Sequence, residues 1–338
     1  MNGGGPCYIT SLRAIKEGDS GIKASEVAVP AKTKGTSFKV IAKVPGPLAN
    51  GLVVVVQSSG EEGFSLTVGK QSRPNLSMKK GDGYVGDAVF EAVTIIDVGS
   101  GLPADGSYTL AGGGFSPLTA KDFAGDPGER TGLGGLEALD DVRLVLCPDV
   151  MAGYDGSEDA KMRVKMVQTA MIAHCERMRY RFAILDTPPG LNAQRAKEWR
   201  DFVNFDSSYA ALYYPWIEVA DLSGTGNTRK LIPPSGHVVG IFNRVDAERG
   251  VHKAPANEVV LGAVNLAINL SKGEQDTLNP IGVNCIRSFP ARGIRVWGAR
   301  TLSSDGSWRY VNVRRLFILV EASMDIGLSW VVFEPNDS

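Results

Sequence analysis

Histidine is scarce in this sequence: His174, His237 and His252 are the only three in 338 residues, and no H-E-x-x-H occurs. His174 adjoins Cys175, but neighbours one residue apart on a helix point to different faces, which makes a poor metal pair. Cysteine is nearly as thin. Cys7, Cys147, Cys175 and Cys285 lie far apart with no C-x-x-C, and the last three sit in apolar patterns. Buried free thiols are therefore expected, not bridges or metal ligands, which suits a reducing compartment. Long apolar runs are missing too: LVVVV and LFILV fall far short of a bilayer, so no direct membrane insertion is expected. Net charge is almost absent, at −1, which gives no global attraction to nucleic acid. The opening MNGGGPCYIT has neither a basic start nor an apolar stretch, so no secretory signal is expected there.

What remains is an ordinary globular composition, 43% apolar and 22% charged, with length for two domains. PCYITSLRAI, residues 6–15, reads as a strand, so residues 1–22 are expected to supply the first strand of an α/β core. Residues 23–117 differ in character. SFKVIAKV, GLVVVVQ, FSLTV, AVFEAVTIIDV and GSYTL are β-type segments separated by turn residues, which predicts an inserted β-rich domain. From 118 to 338 helix and strand alternate, which predicts a mixed α/β sheet core. LGGLEALDD reads as a short helix and VRLVLCPDV as a strand. In residues 157–180, Ala160, Val164, Val167, Met171, Cys175 and Met178 recur at helical spacing. FAIL, SYAALYYPW, GVNCIRS, IRVWGA and a final SWVVFEP read as strands. NAQRAKEWRDFVN, SGHVVGIFNRVDAERG and WRYVNVRRLFILVEASMDIG read as helices.

Candidate chemistry is sparse. RFAILDTPPG delivers Asp186 to the end of a buried strand, and Pro188, Pro189 and Gly190 then form a rigid turn. LDTPPG resembles a string of the Mrp/MinD-type ATPases, in which the Asp organises magnesium and water. Such an enzyme needs a G-x-x-x-x-G-K-[ST] phosphate cradle. None of the glycine clusters, MNGGGPCY, LAGGGFSPLTAKD, DLSGTGNTRK or RTGLGGLEALDD, has that spacing. The residues favour a structural turn, with Asp186 bonded to backbone N–H groups or Thr187. Ser235 and His237 read as a helix start, not a nucleophile with its base. Arg314-Arg315 reads as a solvated face or an ion-pair site. No catalytic residue, cofactor or metal ligand is assigned, and the chain reads as a non-enzyme.

Residues 243–303 are rich in proline, mixed charge and locally bonding polar side chains, and too long for a connector. Such a stretch is expected to need outside contacts. His252, Lys253, Asn257, Arg292, Arg295 and Arg300 are the candidate subunit-interface residues, with bracing of their own loop as the alternative.

The strings FDSSYAALYYPWIEVAD, PPSGHVVGIFNRVDAERGVHKAPANEVVLGAV and EQDTLNPIGVNCIRSFPARGIRVWGARTLSSDGSWRYVNVRRLFILVEASMDIGLSWVVFEPND resemble the tail sheath proteins of contractile phages. R-type pyocins and phage-derived contractile injection systems have relatives of this family. LDDVRLVLCPDV and ILDTPPG fall in the family's order. The resemblance covers residues 118–338, with NGGGPCYIT in passing. It implies a tail-sheath-like fold and a structural subunit. Copies would polymerise helically around an inner tube protein, with baseplate and tail-terminator or cap proteins as further partners. Contraction would drive the tube through a target envelope. It also implies assembly in the bacterial cytoplasm and a place in a virion tail or phage-tail-like particle. An α/β nucleotide-binding ATPase built on LDTPPG is the alternative. Family members carry a longer N-terminal arm and a further C-terminal portion than these 338 residues contain. The core sheet is then expected to end incomplete at SWVVFEP, and this length alone is not expected to form ordered tubes.

Overall fold

The computed structural model describes residues 5–12, 21–99, 101–115, 118–221 and 228–335. The chain divides into two compact units, Ile15–Leu118 and a second made of Met1–Ala14 with Thr119–Ser338.

The first unit is all β among its described residues, apart from two single 3-10 turns. Its strands are β1 (Ile22–Lys23), β2 (Glu26–Pro30), β3 (Thr36–Ala42), β4 (Val53–Ser59), β5 (Gly63–Val68), β6 (Gln71–Ser77), β7 (Val93–Asp97), β8 (Gly106–Thr109) and β9 (Gly114–Phe115). They form antiparallel sheets in the orders β2-β3-β7 and β6-β5-β4-β8, with β1 and β9 paired separately. Strict alternation sends Phe38 and Val40 of β3, Val54 and Val56 of β4, and Phe64 and Leu66 of β5 into one shared core. Phe38 and Phe64 stack with ring centroids 5.9 Å apart. Each such side chain contributes roughly 1.5–3 kcal/mol by leaving water.

The second unit runs α1 (Ala120–Ala124), β10 (Leu144–Leu146), α2 (Glu158–Met178), β11 (Phe182–Asp186), α3 (Ala193–Val203), β12 (Ala210–Tyr214), β13 (Ile217–Ala220), β14 (Arg229–Ile232), α4 (Ser235–Arg249), β15 (Glu258–Val259), β16 (Ala263–Leu266), α5 (Lys272–Leu278), β17 (Val283–Phe289), β18 (Gly293–Val296) and α6 (Val311–Gly327). Its main sheet has the order β10-β11-β12-β17-β18-β15. The first four strands are parallel, and β18 and β15 add antiparallel. Every residue of β11 and β12 is buried, as apolar runs covered on both faces should be. Phe182, Ile184, Ala211, Tyr213 and Ile286 face α4 and α6. Alternation turns Ala183 and Leu185 to the other face, toward α2. Ser157 caps α2 by accepting from the Ala160 amide, and Ala160, Val164, Val167, Met171 and Cys175 form its buried stripe. Before β10 the chain turns through Gly125, whose φ is +69° and whose missing Cβ would lie 1.9 Å from the Thr131 carbonyl oxygen. No described helix is long and apolar enough to cross a membrane.

The fold is the mixed helix-and-sheet class expected, with three corrections. Residues 6–12 of the expected first strand are in no strand; residues 13–15 lie outside the described set. The segment instead docks on loops: Tyr8 Oη donates to Asp141 at 2.8 Å, and the Ser11 carbonyl accepts from the Gly132 amide at 2.7 Å. An alternating apolar pattern supplies β propensity but no pairing edge, and Ile9 is 91% exposed. The final strand at SWVVFEP is instead a 3-10 turn, Ser329–Phe333, exposed throughout, so the sheet's edges are β10 and β15. LGGLEALDD forms a single 3-10 turn, Gly134–Leu136, its two glycines giving an α-helix little support.

Candidate functional site

Asp186 ends β11 and is almost fully buried. Its Oδ1 accepts from the Ser235 amide at 2.9 Å, so the strand end is tied to the first turn of α4. Its own carbonyl accepts from Gln168 Nε2 of α2 at 2.7 Å. Burial pushes its carboxyl up to about 7, and the bonds from Ser235 pull the other way. The donor is thus the α4 amide and not Thr187, whose hydroxyl has no partner. The Thr187 carbonyl accepts from Trp216 Nε1 at 2.8 Å. Pro188 is buried, Pro189 half-buried, and Gly190 turns the chain at φ +71°. This arrangement joins α2, β11 and α4, and it does not present the carboxylate to a nucleotide in solvent. Of the glycine clusters weighed as phosphate cradles, residues 1–4 and 222–227 lie outside the described set. Among the described residues no group of three or more His, Cys, Asp and Glu is placed to hold a metal ion.

The six interface candidates fall into separate places. Asn257, Arg292 and Arg295 come together where β15 meets β18. Asn257 adopts φ +59°. Its Oδ1 accepts from Arg292 Nη2 at 2.9 Å, and its carbonyl accepts from Arg295 Nη1 at 2.7 Å. The Arg292 guanidinium also lies 5.5 Å from both the Phe289 and Trp297 ring centroids. Lys253 Nζ caps its own turn, donating to the Ala254 carbonyl at 2.6 Å, with Glu258 at 3.5 Å. The His252 carbonyl accepts from Asn312 Nδ2 of α6 at 3.1 Å. Arg300 is braced through its backbone to Asn284, and its guanidinium lies over Tyr310. Each of the six has at least one internal bond, which the sequence could not reveal. Asn257 and Arg292 remain exposed.

Two buried arginines belong to the fold's framework and were read from sequence only as a surface or ion-pair site. Arg315 bonds Asp246 of α4 through both carboxylate oxygens, at 2.8 Å for the Nη1 contact, and lies 4.8 Å from the Phe242 centroid. Arg314 sits between Trp308 at 3.6 Å and Tyr209 at 4.5 Å, and donates to Ser208 Oγ at 2.9 Å. On α2, burial pushes His174 down to about 4, helped by Arg181 and Arg177. Arg181 meets the His174 ring at 2.7 Å and also donates to the Leu136 carbonyl at 2.8 Å.

Residues 134–302, half of the chain, match the family described as the phage tail sheath protein central domain. That span runs from the turn before β10 through β18. A prophage major tail sheath protein of Pseudomonas aeruginosa strain UCBPP-PA14 is 31% identical over 219 residues, 61% of this chain and 51% of that protein. The tail sheath protein of Vibrio phage KVP40 is 24% identical over 318 residues, 86% of this chain and 45% of its own. The chain spans about half the length of the curated relatives it matches. Among solved structures, a chain of the contracted sheath complex of an extracellular contractile injection system is 32% identical with a TM-score of 0.50; the match covers 67% of this chain and 56% of that one. A chain of the anti-feeding prophage baseplate is 30% identical with a TM-score of 0.51, over 67% and 57%. The sheath tail protein of Desulfitobacterium hafniense shares the fold at 12% identity, with a TM-score of 0.55 over 94% and 67%.

Proposed function

We infer the function from one fact: this chain belongs to the phage tail sheath family. It is a structural subunit of a contractile sheath. Copies of it polymerise helically around an inner tube, and the sleeve shortens to drive the tube through a target envelope. The observation that carries this reading is the family match over residues 134–302, the span that builds the six-stranded sheet. Relatives from a contracted sheath complex and from a baseplate support self-assembly and a baseplate contact. The inner tube and a terminator or cap protein are the further partners. The place of work is a phage tail or tail-like particle, with assembly in the bacterial cytoplasm. No nucleotide is turned over, since the free energy for contraction is stored in contacts made at assembly.

Within that reading, the exposed cluster of Asn257 and Arg292, with Arg295 behind it, is the part of residues 243–303 that meets a neighbouring copy. Mixed charge and hydrogen-bonding groups there set register more than affinity. The unit Ile15–Leu118 is an inserted domain of the subunit. The test is to isolate tail-like particles from cells that make this protein with the tube protein encoded beside it, and to collect what sediments. Co-sedimentation of both as sleeved tubes is expected. A chain that stays in the supernatant and binds ATP with magnesium in calorimetry at micromolar strength would overturn the reading.

A further inference from the structure

One edge of the main sheet carries positive charge that nothing inside the chain neutralises. Register sets Arg287 of β17 directly opposite Arg295 of β18, and alternation turns both, with Phe289, to the face that carries α2. Like charges directly opposite on one sheet face are destabilising. Arg292, in the turn between the two strands, adds a third guanidinium against Phe289 and Trp297. Arg287 also lies over Phe289, 5.1 Å from its centroid. The internal acceptors of these groups are uncharged. Arg287 Nε donates to the Leu270 carbonyl at 3.2 Å, Arg295 Nε to the Arg292 carbonyl at 2.9 Å, and Asn257 takes the other bonds. Among the described residues no carboxylate pairs with any of the three arginines. Glu258 of β15 lies opposite Val296, on the other face, held by Arg244 at 3.6 Å and Lys253 at 3.5 Å. Glu274 is spent capping α5.

The opposite edge of the same sheet carries the complementary charge. After β10, residues 148–159 lead into α2, and they contain Asp149, Asp155, Glu158 and Asp159 with no lysine or arginine. All four acids are exposed. Glu158 pairs with Lys161 at 2.6 Å, and Asp155 accepts from the Ser157 amide at 2.9 Å. Asp149 and Asp159 have no cationic partner among the described residues. Strands β10, β11, β12 and β17 are parallel, so the acidic loop after β10 and the arginine hairpin after β17 stand at the same end of the sheet. They also share a face, the one that carries α2. β10 and β18 are four strand spacings apart in the sheet order, roughly 19 Å. Exposed charges are screened over about 8 Å at physiological salt. The two patches therefore do not neutralise one another within one chain, and each is complementary to the other on a second chain.

We propose that the arginine face of the β17–β18 hairpin in one copy receives the acidic loop between β10 and α2 of the next copy. The contact follows from the sheath reading in taking the neighbour to be a copy of this chain, and it gives the cluster of Asn257, Arg292 and Arg295 its partner. Two different surfaces meet, so the contact is heterologous and repeats from copy to copy without closing on a pair. Guanidinium forks take carboxylates through paired bonds, and Phe289 and Trp297 flank them. Opposite charges placed this way fix register more than strength. The net charge of −1 gives no wider field that would hold nucleic acid on the same hairpin.

The experiment uses the protein as its own cells make it, in a Cys7→Ser background. Pro290→Cys and Ala152→Cys put thiols at exposed positions beside the two patches. A short bismaleimide is expected to join chains that bear both thiols into a ladder of dimers, trimers and longer products, and to join neither single variant. Adding Arg287→Glu with Arg292→Glu is expected to reduce the ladder at least about tenfold. Adding Asp149→Lys with Asp159→Lys to that chain is expected to restore it, which a folding defect would not allow. No ladder in the double-cysteine chain overturns the proposal. So does a ladder that survives the arginine reversals, one that the added lysines fail to restore, or one that nuclease treatment removes. Sleeved tubes are counted in the same preparation by electron microscopy. A ladder without sleeves removes the sheath reading and leaves this contact; sleeves without a ladder do the reverse.

Discussion

Asp186 and Ser235 lie 49 positions apart in sequence, yet the Asp186 carboxylate accepts from the Ser235 amide at 2.9 Å. The strand end that resembles a nucleotide site is instead a tie between β11 and α4. That bond gives the acid at the end of a fully buried strand a structural partner.

The tie carries a pH signature. Asp186 is raised to about 7 by burial. A raised carboxyl favours the fold most below its unfolded value, and this contribution is lost as pH rises through about 7. His174 is lowered to about 4, so its contribution is present above its unfolded value and lost as pH falls through about 4. The two oppose each other, each by up to about 3–4 kcal/mol. Between pH 4 and 7 the wild type should show a shallow stability profile in urea unfolding. Asp186→Asn should leave a profile that rises with pH, and His174→Gln one that falls. The same slope in both variants would contradict the assignment.

Breaking the Arg315–Asp246 pair should be costly, because it joins α6 to α4 with Arg315 buried. Arg315→Leu should lose about 3 kcal/mol by leaving Asp246 without its partner, and Arg315→Leu with Asp246→Leu should recover most of that. Chemical denaturation midpoints measure both; a double variant no better than the single would show that packing, not charge, dominates.

Arg314→Lys should not behave as a conservative change. A lysine cannot stack between Trp308 and Tyr209 as a planar guanidinium does. The expected loss is about 1–2 kcal/mol, with a shift in tryptophan emission as Trp308 loses its cover. An unchanged emission spectrum and midpoint would argue that the stack contributes nothing.

Much of the core was legible in the sequence for a physical reason. β11 and β12 are buried on both faces, so they appear as continuous apolar runs, and α2 packs one face, so Ala160 to Cys175 keep helical spacing. What was not legible depends on partners distant in sequence. PCYITSLRAI and SWVVFEP carry strand-type residues, but whether such residues pair depends on a free edge that no local pattern encodes. Arg314 and Arg315 are adjacent, so both could not be read as core-facing; only Trp308, Tyr209 and Asp246, brought in from elsewhere, make burial possible. The internal bonds of Asn257 with Arg292 and Arg295 span 35 and 38 positions and were invisible for the same reason.

Those bonds separate bracing from contact. Arg295→Glu removes the donor to the Asn257 carbonyl and should cost about 1–2 kcal/mol of monomer stability. Arg292→Glu, at an exposed position, should cost the monomer about 1 kcal/mol or less for its bond to Asn257, and should reduce tube yield far more than that loss of stability accounts for. Full tube yield in Arg292→Glu would remove this cluster from the contact surface.

The most direct test of the sheath account is cryo-electron microscopy of tail-like particles from cells that make this protein. The account predicts a helical sleeve around a tube, with the β10-β11-β12-β17-β18-β15 sheet resolved in every repeating subunit. A sleeve built from a different polypeptide, with this chain recovered only as discrete particles that hydrolyse ATP, would contradict it.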